Sequence, residues 1–465
     1  MEDKKLICFT NPMLFKLPAL LKLQKIKAVS FLAVAASLFF VSVSTVQAAP
    51  KIQHWVTDNG VRVYFFPAHE LPMMDLRVVF DAGAARDGGK AGVALLTNGM
   101  LAEGAGGLDT TAIAEQFDSV GASFSNSAHR DMSVMSLRSL TDKKLLDVAT
   151  STFKTVLNEP TFPKGAFDRE RNRLLVGLES EKQSPQAISS NAFFKALYGE
   201  HVYANKSNGT VKSVKSITIA DMKAFYKKYF VAKNAVVALV GDLNRKQAEA
   251  LVNKVTGNLP SGSAAAAITP VKALAKADEQ RIQFPSMQSH ILVGQPGIKR
   301  GDPDYFPLYL GNHVLGGSGL VSILSDEIRE KRGLAYSSYS YFSPMREAGP
   351  FIMGLQTKNS TVDEALSVLK ETLTKFVNEG PTEKQLEATR KNLVGGFALR
   401  ISSNSKIVEN LASIGFYGLP LDYLDKYILN VESVTMTQVK DAFKRRLNVD
   451  KLVTVVVGDS SQPVK

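Results

Sequence analysis

The chain is poor in the residues that build covalent or metal-centred chemistry. It has one cysteine in 465 residues, one tryptophan and six histidines. Cys8 is alone, so the fold needs no disulfide, and a chain that loses residue 8 is free of cysteine, which suits an oxidising compartment. The histidines are His54, His69, His129, His201, His290 and His313, and no two have ligand spacing on one helix. Each reads as a surface or strand-packing residue. After residue 50 no run is apolar enough and long enough to cross a membrane. The net charge is +12, but the lysines are spread over helix surfaces and no nucleic-acid motif accompanies them, so a nucleic-acid partner is not expected.

What is present begins with an address. Lys16, Lys22, Lys25 and Lys27 precede an apolar run from Ala28 to Val43, and Val46-Gln-Ala48 offers a small-residue cleavage site before Ala49-Pro50. This predicts a signal peptide over 1–48, cut after Ala48, and a periplasmic location. Retention as a membrane anchor is the alternative, and a start at Met13 gives a more ordinary signal length. Residues 1–48 carry six lysines against Glu2 and Asp3, so cleavage lowers +12 to +8 and removes Cys8. The 417 residues left, 465 less 48, suffice for two domains with substantial cores.

An internal repeat sets the architecture. Ser216-Ile-Thr-Ile-Ala-Asp-Met-Lys-Ala-Phe-Tyr-Lys leads to Ala235-Val-Val-Ala-Leu-Val-Gly-Asp242. Ser433-Val-Thr-Met-Thr-Gln-Val-Lys-Asp-Ala-Phe-Lys leads to Leu452-Val-Thr-Val-Val-Val-Gly-Asp459. Ser216 maps to Ser433 and Asp242 to Asp459 at one offset, 217. In each copy a threonine caps a helix and a β-branched run forms a buried strand. Pro260-Ser-Gly-Ser-Ala-Ala-Ala-Ala-Ile-Thr-Pro270 has linker composition. The expected domains are therefore 49–259 and 279–465, joined by 260–278.

The most informative stretch is Ile328-Arg-Glu-Lys-Arg-Gly-Leu-Ala-Tyr336, followed by Ser-Ser-Tyr-Ser-Tyr-Phe342. It reads as a helix end, a turn at Gly333, then a strand of alternating aromatic and small residues. The turn brings the Arg329 guanidinium and the Tyr336 phenol toward a common point, where two donors suit a carbonyl oxygen that gains charge during amide attack. Equally, Arg329 can serve the helix end and Tyr336 can pack on the sheet.

The run from Leu315 through Gly316-Gly-Ser-Gly319 to Tyr336 resembles the second homologous domain of pitrilysin/insulinase-type zinc peptidases. Within them it resembles the branch of short two-domain subunits that includes the mitochondrial processing peptidase, and the resemblance covers nearly the whole chain after residue 50. It implies an α+β fold of two duplicated domains, each a mostly antiparallel sheet covered by helices. It also implies that Arg329 and Tyr336, seven positions apart, help hold the scissile peptide.

The same resemblance exposes a loss. Catalytic relatives carry His-x-x-Glu-His on a helix of the first domain, with two imidazoles for zinc and a glutamate as base toward the bound water. The matching helix, expected from Ala91 to Glu103, has Leu95 and Gly99 at the histidine positions and Asn98 at the glutamate position. The distal ligand, counted from Glu170-Arg171, falls on Gly177, with Glu179 and Glu181 out of phase. Leucine and glycine cannot ligate zinc, and an amide is a poor base. No metal is expected in this chain. Gly121–Asp131 keeps the pattern of the substrate-pairing edge strand but has Ser125-Asn126 where relatives have Asn-Ala.

Two other short patterns are discounted. Gly316-Gly-Ser-Gly319 has the spacing of neither a nucleophile elbow nor a phosphate loop and reads as a turn allowing close backbone approach. Ser403-Asn-Ser-Lys406 fits Ser-x-x-Lys without its companion motifs.

Three functions fit. The first is the non-catalytic, substrate-binding subunit of a heterodimeric zinc peptidase, whose homologous partner supplies zinc and base while this chain supplies Arg329 and Tyr336 to a peptide substrate. The second is a binding or scaffold protein without proteolysis. The third, an autonomous peptidase with a displaced metal site, has the least support.

Overall fold

The computed structural model describes residues 51–459, and the signal peptide expected over 1–48 lies outside them. In the first half the labelled elements are β1 (Gln53–Val56), β2 (Arg62–Pro67), β3 (Met73–Phe80), α1 (Val93–Gly99), β4 (Ser123–Ala128), β5 (Ser133–Leu140), α2 (Lys164–Glu181), α3 (Pro185–Tyr198), α4 (Ile219–Tyr229) and β6 (Ala235–Gly241). The second half has β7 (Asp278–Gln283), β8 (Gln288–Pro296), α5 (Tyr305–Asn312), β9 (Ser338–Phe342), β10 (Pro350–Lys358), α6 (Glu383–Gly395), α7 (Asn404–Tyr417), α8 (Met436–Arg446) and β11 (Val453–Gly458).

Each half builds one large sheet. The first runs β1-β2-β6-β3-β5-β4 and the second β9-β10-β8-β11-β7. Only β2–β6 and β7–β11 pair in parallel, and the other neighbours are antiparallel. The duplication read from the repeat and the mostly antiparallel α+β architecture implied by the resemblance are both observed. Thr218 and Thr435 both cap their helices in capping boxes, with Asp221 and Gln438 returning the bond.

β6 and β11 are buried along their whole lengths, without alternation. An antiparallel strand with one wet face alternates, so an unbroken apolar run requires cover on both faces. One face of β6 packs Val237 and Leu239 into the helices of its own half. The other packs Val236, Ala238 and Val240 against Val408, Leu411 and Ala412 of α7, a helix of the second half. The arrangement is reciprocal: Phe193 and Leu197 of α3 cover Val453, Val455 and Val457 of β11. Each half lends one helix to the other's sheet.

Residues 260–277 form no regular element but are tied down. Ala232 and Lys233 donate backbone N–H groups to Pro260 and Ser261 at 2.8 and 3.0 Å, Ala265 donates to Asn234 Oδ1 at 3.0 Å, and Ile268 is buried.

One helix differs from expectation: that expected through Glu103 ends at Gly99 and tightens into a 3-10 turn, Met100–Ala102. In the second half α6 stops at Gly395-Gly396, where two residues without Cβ weaken the helix, leaving a short turn Phe397–Arg400. The helix Tyr427–Ser433 follows turns in which Tyr423 bonds Pro420 and Lys426 bonds Asp422. Among the described residues no helix is long and apolar enough to cross a membrane.

Candidate functional site

The segment Asp326–Glu330 is wound as a wide π turn, a rare geometry that recurs at functional sites. Gly333, at φ +63°, reverses the chain, and the last carbonyls accept from Gly333 (to Arg329, 2.9 Å) and Leu334 (to Ile328, 2.9 Å). The reversal sets the Arg329 guanidinium over the Tyr336 ring, 5.1 Å from its centroid. Tyr336 is 84% exposed and does not pack on the sheet. Arg329 has only a loose ion pair, 3.4 Å to its neighbour Glu330. The turn thus sets a half-buried cation against an exposed phenol.

The metal positions are differently occupied. Leu95 is half-buried, Asn98 is buried, and Gly99 is exposed on α1. Asn98 donates from Nδ2 to the Val134 carbonyl at 3.4 Å, and its own carbonyl accepts from Asn126 at 2.6 Å. Asn126, one of the departures on the edge strand β4, therefore serves to tie that strand to α1. Gly177 is exposed on α2, and a Cβ added at Gly99 or Gly177 meets nothing within 4 Å.

The nearby carboxylates are engaged elsewhere. Glu179 pairs with Lys182 at 2.6 Å and Glu181 with Lys206 at 2.7 Å. Burial works against ionisation of Glu181, but the Lys206 ammonium and the Asn208 amide prevail and hold its carboxyl below the usual range. A zinc ion does not fit this donor set: a leucine, a buried amide and two glycines supply no imidazole and no free carboxylate. Among the described residues no three histidine, cysteine or acidic side chains converge as a metal site.

The two discounted motifs have structural jobs. Gly316 lies where a Cβ would collide with the backbone nitrogen of Ser340 at 2.5 Å, so the backbone it admits is that of β9. Ser403 accepts from Lys406 N–H and caps α7. What the sequence reading missed is the cover that α3 and α7 exchange, although the unalternating β6 and β11 carry the signal for it.

A two-sheet frame with exchanged helices, a degenerate metal helix and an exposed Arg/Tyr turn defines a peptidase-type fold. The chain belongs to peptidase family M16, the insulinase family. Residues 69–210 match the family description "Insulinase (Peptidase family M16)" and residues 216–393 match "Peptidase M16 inactive domain". A crystal structure of a peptidase M16 inactive domain from Pseudomonas fluorescens shares 43% identity, with a TM-score of 0.86 over 89% of this chain and 100% of that one. A protein of Helicobacter pylori described as a non-peptidase homolog is 26% identical over 90% of this chain and 96% of its own length. The periplasmic protease PqqL of Escherichia coli shares the fold, with a TM-score of 0.73 at 17% identity over 88% of this chain and 45% of that one.

Proposed function

We propose that this chain is the non-catalytic, substrate-binding subunit of an exported, two-subunit zinc peptidase. The observation that carries the reading is the contrast between a stacked Arg329–Tyr336 pair with an exposed phenol and metal positions filled by Leu95, Asn98, Gly99 and Gly177. A scaffold has no need for a cation and an exposed phenol on one turn. A homologous partner bearing His-x-x-Glu-His supplies metal and base. Arg329 and Tyr336 then donate to the scissile carbonyl oxygen, and their donors favour it most when it carries negative charge. Arginine suits this because its planar fork is charged at every working pH.

Export is supported by the lysines, apolar run and Ala48 of the N-terminal segment, and by the absence of cysteine after Cys8. Several relatives also bear zinc-protease or protease names, one of them periplasmic. The description of the Helicobacter relative as a non-peptidase homolog favours the second reading, a binding protein without proteolysis.

The test is peptide hydrolysis and metal content for the chain alone and mixed with a homologue bearing the intact motif. Activity and zinc are expected only in the mixture. Tyr336→Phe or Arg329→Ala should lower turnover about a hundredfold, the usual loss for one donor to a developing oxyanion, while the complex still assembles. Zinc-dependent activity from the chain alone overturns the reading. A stable but inactive mixture transfers the support to the binding protein.

A further inference from the structure

A cationic cavity in the second half plays no part in the reading above. It has a volume of about 480 Å³ and is walled by Arg300, Tyr305, Tyr309, His313, Tyr341 and Arg400, among others. A narrower recess of about 100 Å³ shares Arg300, Tyr305 and Arg400 with it. No aspartate or glutamate lines either space.

The cavity occupies the place in the second half that the metal helix occupies in the first. Asn98 and Asn126 become Asn312 and Ser340 at one offset, 214. Both pairs link helix to edge strand, the second through Asn312 Nδ2 to the Ser340 carbonyl at 3.0 Å and Ser340 Oγ to Asn312 Oδ1 at 2.8 Å. The counterpart of Gly99 is His313. Its ring nitrogens contact Asn392 Oδ1 at 3.2 Å and Thr389 Oγ1 at 3.4 Å, and burial lowers its pKa, so the imidazole is neutral. The positive charge of the cavity is that of its two arginines.

Neither guanidinium has an ion pair among the described residues. Arg300 Nε is buried with no hydrogen-bond partner among the described residues, and its guanidinium lies 5.9 and 5.4 Å from the Tyr305 and Tyr417 rings. Arg400 stands 5.8 and 6.0 Å from the Tyr309 and Tyr427 rings and hydrogen-bonds Tyr309. The nearby Asp302 and Asp304 are held instead by Arg445 and Arg446 at 2.6 to 2.9 Å. Tyr309 Oη accepts from Tyr427 at 3.4 Å, which leaves its own proton to donate. A buried guanidinium nitrogen without a partner, as at Arg300, is costly until an acceptor enters, and Arg400 adds a second positive charge to the same recess.

Tyr341 also borders a second cavity of about 440 Å³, lined by Phe194, Tyr336, Tyr339, Ile352 and Leu355, among others. None of its walls is Asp, Glu, Lys or Arg, and its one histidine, His290, has its pKa lowered by burial. Tyr339 and Tyr341 stack at 5.9 Å. An uncharged aromatic trough adjoining a two-arginine recess suits a chain of neutral side chains that ends in, or carries, an anion.

We propose that the Arg300–Arg400 cavity binds a peptide carboxylate, with the neighbouring trough holding the side chains that precede it. Guanidinium and carboxylate are matched in shape and charge. The proposal needs no partner subunit, although its trough shares Tyr336 with the half-enzyme reading. The carboxylate is either a chain end or an acidic side chain, and one experiment separates them.

Fluorescein-labelled Gly-Ala-Tyr-Leu-Phe-Ala is titrated with the purified chain as the free acid, as the C-terminal amide, and as an amide with Glu in place of the last Ala. The free acid should bind at least tenfold tighter than the plain amide. Arg400→Gln should remove that difference, with melting measured alongside to show that the variant folds, whereas Arg329→Ala should preserve it. If the Glu amide binds as the free acid does, the pocket accepts side-chain carboxylates as well. Absence of binding, equal affinity of acid and amide, or a difference that survives in both Arg400→Gln and Arg300→Gln overturns the proposal. Displacement by inorganic phosphate at peptide-like concentrations overturns its restriction to carboxylates.

Discussion

Leu95 and Gly99 lie one helical turn apart on α1, and Gly177 lies on the neighbouring helix α2. Both glycines face open space, so the obstacle to metal binding is the missing donors and not crowding. The triple variant Leu95→His/Gly99→His/Gly177→Glu supplies three ligands and should take up about one zinc per chain by elemental analysis, the stoichiometry of a single three-ligand site. A variant that folds but stays metal-free would show that the two helices no longer hold ligand geometry. Asp87 gives a second residue-scale prediction. Its buried carboxylate accepts from Gly92 and Ala94 N–H at 2.7 and 2.9 Å, and burial nevertheless pushes its pKa up from 3.8 to about 7. Between those values the folded chain holds a proton that the unfolded chain has released, so this contribution is complete below pH 4 and is lost as pH rises through about 7. Melting temperature should therefore fall from about pH 4 to about pH 7 more steeply in the natural chain than in Asp87→Asn, and the two slopes should converge above about pH 7. Equal slopes would assign the pH dependence to other groups. Positions 95, 98, 99 and 177 were singled out only through the family resemblance, whereas the turn at Gly333 was legible in the residues themselves. The Arg300–Arg400 cavity was not, because its walls come from segments a hundred residues apart with no shared motif.

Among the elements, α7 shows why repeat and register matter. Ser184 and Tyr198 of α3 correspond to Ser403 and Tyr417 of α7 at an offset of 219, and both serines cap their helices. At Gly415 α7 comes so near the first sheet that an added Cβ lies 2.6 Å from the Tyr64 ring and from a Val236 methyl group. Gly415→Val should destabilise the protein by about 2 kcal/mol in urea unfolding, the ordinary cost of overpacking. Gly395→Ala in α6 is the contrast, since its Cβ meets nothing within 4 Å. There the gain in helix propensity should raise stability by up to about 1 kcal/mol. If both substitutions act alike, the α7 contact is not a close one in solution. The strands were readable because β-branched runs and alternation are local signals. Helix ends were less so: the break at Gly395-Gly396 follows from the missing Cβ atoms, whereas the turns after Pro420 depend on bonds specified by tertiary position.

For the whole molecule, the repeat at one offset disclosed duplication, and the composition of 260–270 disclosed the join between copies. Neither indicated that the join would be held against the first half by Asn234 and by burial of Ile268, because composition reports chain stiffness and not tertiary contact. The exchange of α3 and α7 has a further consequence, one of timing. Val236, Ala238 and Val240 receive their outer cover from a helix ending at Tyr417. As the chain is made, the first sheet exposes one apolar face until nearly nine-tenths of the 465 residues have been synthesised. Such delay leaves an apolar face open to misassembly while synthesis proceeds. It also means that a prematurely terminated product keeps that face bare, and so displays to quality-control proteases the mark of its own incompleteness.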